Sequence, residues 1–99
     1  MAMHQHPERP WDLGQLADVA GMSRARFAAH FREVVGATPM AYLTAWRMAM
    51  VQTMLRRGEP LKSIAPAVGY ESSTALSRIF TQSTGQSPTE WIARSRFNG

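Results

Sequence analysis

Ten of the eleven basic residues in this chain of 99 are arginine, and the formal net charge is +4. The planar guanidinium fork suits bidentate contact with phosphate or with a base edge. That balance points to an anionic partner, with a merely basic, solvated surface as the alternative on charge alone. Other chemistry is thinly represented. There is no Cys, which removes disulfides, thiolate ligands and thiol nucleophiles. His4, His6 and His30 share no metal-ligand spacing, and His4 and His6 read as solvated side chains at a mobile end. No paired carboxylates, Gly-rich phosphate loop or Ser-His-Asp set stands out, so neither an enzyme nor a cofactor is expected. The side chains to place are Arg24, Arg26 and Arg32 in one cluster and Arg78 far from it.

These side chains need elements to carry them. Asp12 can cap a helix, with Gln15 completing a capping box, and Leu13, Leu16, Ala17 and Ala20 then recur at helical spacing. Gly21 ends that helix as a left-handed C-terminal residue. After Met22, Ser23 caps a second helix, RARFAAHFREVV, running up to Gly36. Its core face is expected to be Phe27, Phe31 and Val34, with Ala28 near the edge. Two short helices joined by a Gly-containing turn form the helix-turn-helix pattern. The same order returns later. Leu61, Ile64, Ala65 and Val68 mark a short helix ended by Gly69, Tyr70 and Glu71 make the turn, and Ser72 caps STALSRIFTQST up to Gly85. Ser87, Pro88 and Glu90 then open a last helix with Trp91 and Ile92. Laid side by side, the halves are a repeat. Leu13 with Leu61, Ala17 with Ala65 and Gly21 with Gly69 are 48 apart; Ser23 with Ser72, Phe31 with Phe80, Gly36 with Gly85 and Pro39 with Pro88 are 49 apart. One residue has been added between Gly69 and Ser72.

Between the halves, Pro39 to Arg57 contains no Gly and no internal Pro and is rich in good helix formers. Thr38 with Pro39 starts it, and Gly58 with Pro60 closes it. Leu43, Trp46, Met50 and Met54 draw an apolar stripe along it, and Tyr42, Trp46, Trp91 and the methionines read as core. Arg47, beside that stripe, has two readings: an ion pair with Asp18 or Glu33, or a nucleic-acid contact. At roughly 1.5 Å per residue the segment is a rod of about 28 Å. Strand signals are poor. The expected class is all-α, two helix-turn-helix subdomains (homeodomain-like units) joined by a long linker helix. The expected division is 1–10 as the stub of an upstream helix or linker, 11–38 as the first helix-turn-helix, 39–57 as the linker helix and 58–99 as the second helix-turn-helix with a C-terminal helix. No apolar run approaches the roughly 20 residues that span a bilayer, no secretory leader is visible, and a soluble cytoplasmic protein with no membrane contact is expected.

Subtracting core positions leaves the outward faces. In the first unit these are Arg24, Ala25, Ala28, Ala29 and Arg32, with Arg26 at the flank; in the second, Ser73, Thr74, Ser77, Arg78 and Thr81. A helix-turn-helix places its second helix in the major groove of double-stranded DNA, and one duplex turn is about 34 Å. Two such helices on a rod of that size are expected to enter successive grooves, a modest bend of the DNA making up the shortfall. The alanines can touch thymine methyls but cannot hydrogen-bond a base, whereas Arg78 can read guanine bidentately, with Thr74 and Ser77 on bases or phosphates. Arg24, Arg26 and Arg32 suit base or phosphate contacts. Ser23, Thr38, Ser72 and Ser87, at helix starts, either cap or help to present backbone amides to phosphate. The competing reading is a helical protein-interaction module that docks through Ala25, Ala28 and Ala29 without direct DNA contact.

The chain resembles the DNA-binding domain of the AraC/XylS family of bacterial transcription regulators from about Trp11 to Ile92. The most specific stretch is IAPAVGYESSTALSRIFTQSTGQSPTEW, which is similar to the family pattern I-A-x-x-x-G-[FY]-x-S-x-x-x-[LF]-x-R-x-F-[KR]-x-x-x-G-x-[ST]-P-x-x-[YW]. The resemblance implies two helix-turn-helix subdomains on a linker helix, binding of asymmetric promoter DNA as a monomeric module, and activation through contact with RNA polymerase. It also implies a sensor domain upstream in a longer regulator. Four departures stand out. Only the last residues of the family's preceding helix fit into Met1 to Pro7. The reading Arg is present as Arg78 but is Ala29 in the first half. Pro66 falls inside a short helix, where its missing N–H deletes a bond to Lys62. Thr81 stands where the family has a basic residue.

Overall fold

The computed structural model describes residues 2–98 and, among them, seven helices and no strand. These are α1 (Ala2–Gln5), α2 (Leu13–Ala20), α3 (Arg24–Val35), α4 (Pro39–Arg56), α5 (Leu61–Ala67), α6 (Ser73–Thr84) and α7 (Pro88–Asn98). The fold is all-α: two helix-turn-helix units, α2–α3 and α5–α6, set along the linker helix α4. The molecule is elongated, 45 × 24 × 20 Å.

Local chemistry sets the boundaries. Asp12 and Gln15 form the capping box at the start of α2, their reciprocal bonds being 2.8 and 3.2 Å. The turn glycines Gly21 and Gly69 take left-handed backbone, with φ of +69° and +91°, which lets the following amides of Met22 and Tyr70 reach back to the carbonyls of Ala17 and Ala65 at 2.9 and 2.8 Å. Met22 and Tyr70 are therefore structurally equivalent, and Glu71 is the added residue of the second turn. The repeat extends to burial, since Phe31 and Phe80, Ala17 and Ala65, and Pro39 and Pro88 are buried pairwise. Pro66 lies in the last turn of α5 and is exposed, and the helix still closes through the bond from Val68 N–H to the Ile64 carbonyl at 3.1 Å.

There are two cores. Met3, Trp11, Leu16, Phe31 and Leu43 form the first, and Met48, Val51, Leu55, Ile64, Ala65, Val68, Leu76 and Phe80 the second. Each fully buried side chain of this size contributes about 1.5–3 kcal/mol of transfer free energy, and the smaller first core depends on α1 for closure. The offset of 48 places Met3 and Pro7 opposite Val51 and Leu55, and all four are buried. The segment before α2 thus repeats, for the first unit, the packing that the end of α4 gives the second.

Three expectations are corrected. Met3, His4 and Pro7 pack on the first unit, while His6 stays exposed as expected. Met3 is 1% exposed, the Trp11 indole donates to the His6 carbonyl at 2.7 Å, and the His4 ring nitrogen Nε2 lies 2.7 Å from the Tyr42 hydroxyl, with its ring tilted against Trp46 at a centroid distance of 4.3 Å. Met1 lies outside the described residues. Val34 is 69% exposed and is not core, because Leu43 and the Tyr42 ring already fill the space beside Phe31. In α4 the buried row is Leu43, Arg47, Val51 and Leu55 with Met48 beside it; Trp46, Met50 and Met54 are only half-buried. An arginine inside the true row had made the neighbouring row look the more apolar. The helix ends at Arg56, with Arg57 as its cap.

Candidate nucleic-acid interface

The outward faces of α3 and α6 carry the residues singled out from the sequence. In α3, Arg24, Ala25, Arg26, Ala29 and Arg32 are exposed and Ala28 is half-buried. In α6, Thr74, Arg78 and Thr81 are exposed, and Ser73 and Ser77 half-buried. None of these side chains belongs to either core. The two sets lie in separate units, so the structure brings together the members of each face but not the two faces with each other. Among the described residues no arginine or lysine lies within ion-pair distance of a carboxylate, and the one histidine–carboxylate contact is His6 Nδ1 to Glu8 Oε1 at 3.4 Å. The arginines of both faces have no carboxylate partner within the described residues, and their donors remain available for an external anion.

The four helix-start hydroxyls are occupied as caps. Ser23 accepts from Arg26 N–H at 3.3 Å, Thr38 from Ala41 at 3.2 Å, Ser72 from Ala75 at 3.1 Å and Ser87 from Glu90 at 3.2 Å. Glu90 closes a second capping box by accepting the Ser87 amide at 3.3 Å. Each of these oxygens orders the start of its helix, and what remains for an anion there is the rest of the first-turn amides. Thr81 donates its hydroxyl proton back to the Ser77 carbonyl at 2.8 Å, so it presents lone pairs outward and no donor.

Arg24 does not project freely. Its guanidinium lies over Gly14 in the first turn of α2, where a Cβ would come within 2.9 Å of both Nε and Nη2. A glycine inside an eight-residue helix costs about 1 kcal/mol relative to alanine. That cost is the one signal of this close approach in the sequence. The pairing places a cation beside the start of α2 and the start of α3 together.

Arg47 proves to be neither an ion-pair partner of Asp18 or Glu33 nor part of an outward face. It is 9% exposed, and its Nε and Nη2 donate to the carbonyls of Pro7 and Arg9 at 3.0 and 2.7 Å. Its guanidinium sits 5.5 Å from the centroid of the Tyr70 ring. Burial pushes the Tyr70 phenol above its ordinary pKa, while the charge and hydrogen bonding of Arg47 pull it the other way. Among the described residues no group of three His, Cys, Asp or Glu could hold a metal, and no helix is long and apolar enough to cross a membrane.

Comparison with known proteins places these features in context. Residues 16–94 match a family model described as a helix-turn-helix domain. The chain is 39% identical over 95 residues to the HTH-type transcriptional regulator AlkR of Acinetobacter baylyi, covering 95% of this chain and 31% of that protein. It is also 42% identical over 90 residues to a putative AraC-like transcription regulator of Streptomyces lividans, covering 90% of this chain and 30% of that one. The chain thus spans about a third of the length of these curated relatives. Among solved structures, the DNA-binding domain of the global transcriptional factor AdpA, crystallised with a target DNA, superposes with a TM-score of 0.86 at 30% identity over 98% of this chain and 87% of that one.

Proposed function

The chain belongs to the AraC family of helix-turn-helix transcription regulators, and from that premise we propose that it binds double-stranded DNA sequence-specifically, with α3 and α6 in two successive major grooves on one face of the duplex. The observation that carries this reading is the exposure of both faces, with their arginines in no ion pair among the described residues, on repeated units sharing one continuous linker helix. At 18 residues, α4 is about 27 Å long at roughly 1.5 Å per residue. Groove-to-groove separation is about 34 Å, so a modest bend of the DNA completes the fit.

The roles of the side chains follow from their placement. Arg78, exposed in mid-helix, reads guanine, and Thr74 and Ser77 contact bases or phosphates beside it. Ala25 and Ala29 offer methyls to thymine, with half-buried Ala28 behind them, so the first unit reads by shape and apolar contact. Arg24, laid across two helix starts, takes a phosphate, as does Arg26 at the flank, and Arg32 reaches phosphate or base from the far end of α3. The amides behind Ser23, Thr38, Ser72 and Ser87 add phosphate contacts. In the full-length regulator we expect a sensor domain upstream and contact with RNA polymerase, acting in the bacterial cytoplasm. This reading needs no cofactor and no catalytic step.

Equilibrium binding to duplexes selected from a random pool tests the proposal. Neutralising six or more phosphates lowers affinity by about a thousandfold or more between 50 and 200 mM salt. A salt-independent affinity, or no enriched sequence, would overturn it in favour of a protein-docking module. Arg78→Ala is expected to cost about 1–3 kcal/mol of discrimination at one base pair. A uniform loss over all sequences would make Arg78 a phosphate contact instead.

A further inference from the structure

Arg47 is the only charged side chain among the buried residues described, and no carboxylate among the described residues pairs with it. A buried cation held this way is a poor source of stability, since a well-packed apolar residue often does as well or better. What the guanidinium supplies instead is geometry, because its rigid fork fixes several partners at once. Three stretches of chain meet on it. The carbonyls of Pro7 and Arg9 accept from Nε and Nη2, α4 provides the stem, and the Tyr70 ring covers the guanidinium. Gly69 closes the remaining side: a Cβ there would come 2.9 Å from Nη2 and 3.0 Å from the carbonyl oxygens of Pro7 and Glu8.

Each of these stretches leads into a groove helix or its support. The strap 7–9 runs into Trp11, whose indole is anchored at 2.7 Å on the His6 carbonyl, and then into the capping box of α2. The turn Gly69–Glu71 runs directly into Ser72, the cap of α6. Elsewhere each unit packs within itself and on α4, and no helix of one unit makes comparable contact with a helix of the other. We propose that Arg47 is a positioning residue that sets the orientation of α6 relative to α3, by tying the turn before α6 to the strap before α2. Glu71, the residue added in the second turn, lies between the part of that turn held on Arg47 and the start of α6. The significance for recognition rests on the two-groove reading, but the latch itself can be tested without DNA.

Because the chain has no Cys, the pair Ala29→Cys and Thr81→Cys gives two defined labelling sites, one on each groove helix. Double electron–electron resonance between nitroxides at these sites is expected to show one narrow distance in the otherwise unchanged chain. In Arg47→Met that single distance is lost to a broad distribution, while circular dichroism still reports folded helices. Arg47→Lys is expected to behave like Arg47→Met, since one ammonium cannot hold both carbonyls and the ring. Should Arg47→Met fail to fold, Tyr70→Leu removes the ring face alone and is expected to broaden the distribution in the same way. An unchanged narrow distance in folded Arg47→Met or, failing that, in Tyr70→Leu overturns the proposal, as does full restoration by lysine. On selected duplexes, the base preferences of each unit should survive in the Arg47 variants while the single spacing between them is lost. A wild-type chain that enriches no sequence would defeat the groove reading and leave the distance measurement to decide the latch.

Discussion

Replacing Ala49 with proline abolishes tight binding to a two-groove site while leaving both units largely helical. Ala49 is exposed in α4, between Leu43 in the first core and Val51 and Leu55 in the second, so the substitution removes no core contact. Proline there deletes the amide that would bond the Ala45 carbonyl, and its ring collides with that carbonyl, at a cost of about 3 kcal/mol or more in a helix interior. The rod kinks, and the second groove helix no longer arrives in register when the first is seated. Loss of bivalence of this kind lowers affinity by about 10²–10⁴-fold. The measurement is a binding isotherm on the selected duplex, with Ala49→Gln as the control for a change of side chain on a straight helix. Unchanged affinity in Ala49→Pro would show that one unit suffices.

Phe80→Ala lowers the melting temperature of the chain by well over ten degrees. Phe80 is fully buried on the inward face of α6, packed edge-on against Trp91 with centroids 5.9 Å apart. Removing such a ring costs about 3–5 kcal/mol. For a chain of this size each kcal/mol lowers Tm by about 4–8 °C, and total stability is on the order of 5–15 kcal/mol. A thermal melt followed by circular dichroism should therefore move down by well over ten degrees, and DNA affinity should fall at the temperatures where the second unit melts. Arg78→Ala, on the opposite face of the same helix, should leave Tm nearly where it was. A melt that does not shift in Phe80→Ala would mean that the ring is not the keystone of that core.

Both outcomes depend on the two faces of one short helix, and both faces were readable before any coordinates. Phe80 and Leu76 stand at core spacing, and Thr74, Ser77 and Arg78 fill the gaps between them. Ser72 and Gly85 bracket the helix at residues whose preferences are local: a hydroxyl that can accept an N–H three residues on, and a residue without a Cβ. The exposure of Arg24, Arg26, Arg32 and Arg78 was legible for the same reason. Where each arginine points was not. Arg24 lies back over Gly14, and nothing in the spacing of α3 says what α2 will leave open beneath it.

The limits of α2, α3 and α6, the repeat, the all-α class and the exposure of the outward arginines were legible in the sequence alone, because caps, turn glycines and periodicity act within a few residues of chain. The tertiary structure alone decided which row of α4 is buried, that Val34 is outside, that Met3 closes the first core, and that Arg47 joins the strap to the second turn. These depend on which surfaces meet. The buried row of α4 is interrupted by Arg47, so apolar periodicity points to the row beside it. A buried guanidinium whose partners are backbone carbonyls about forty residues away leaves no charge pattern in the sequence by which to find them.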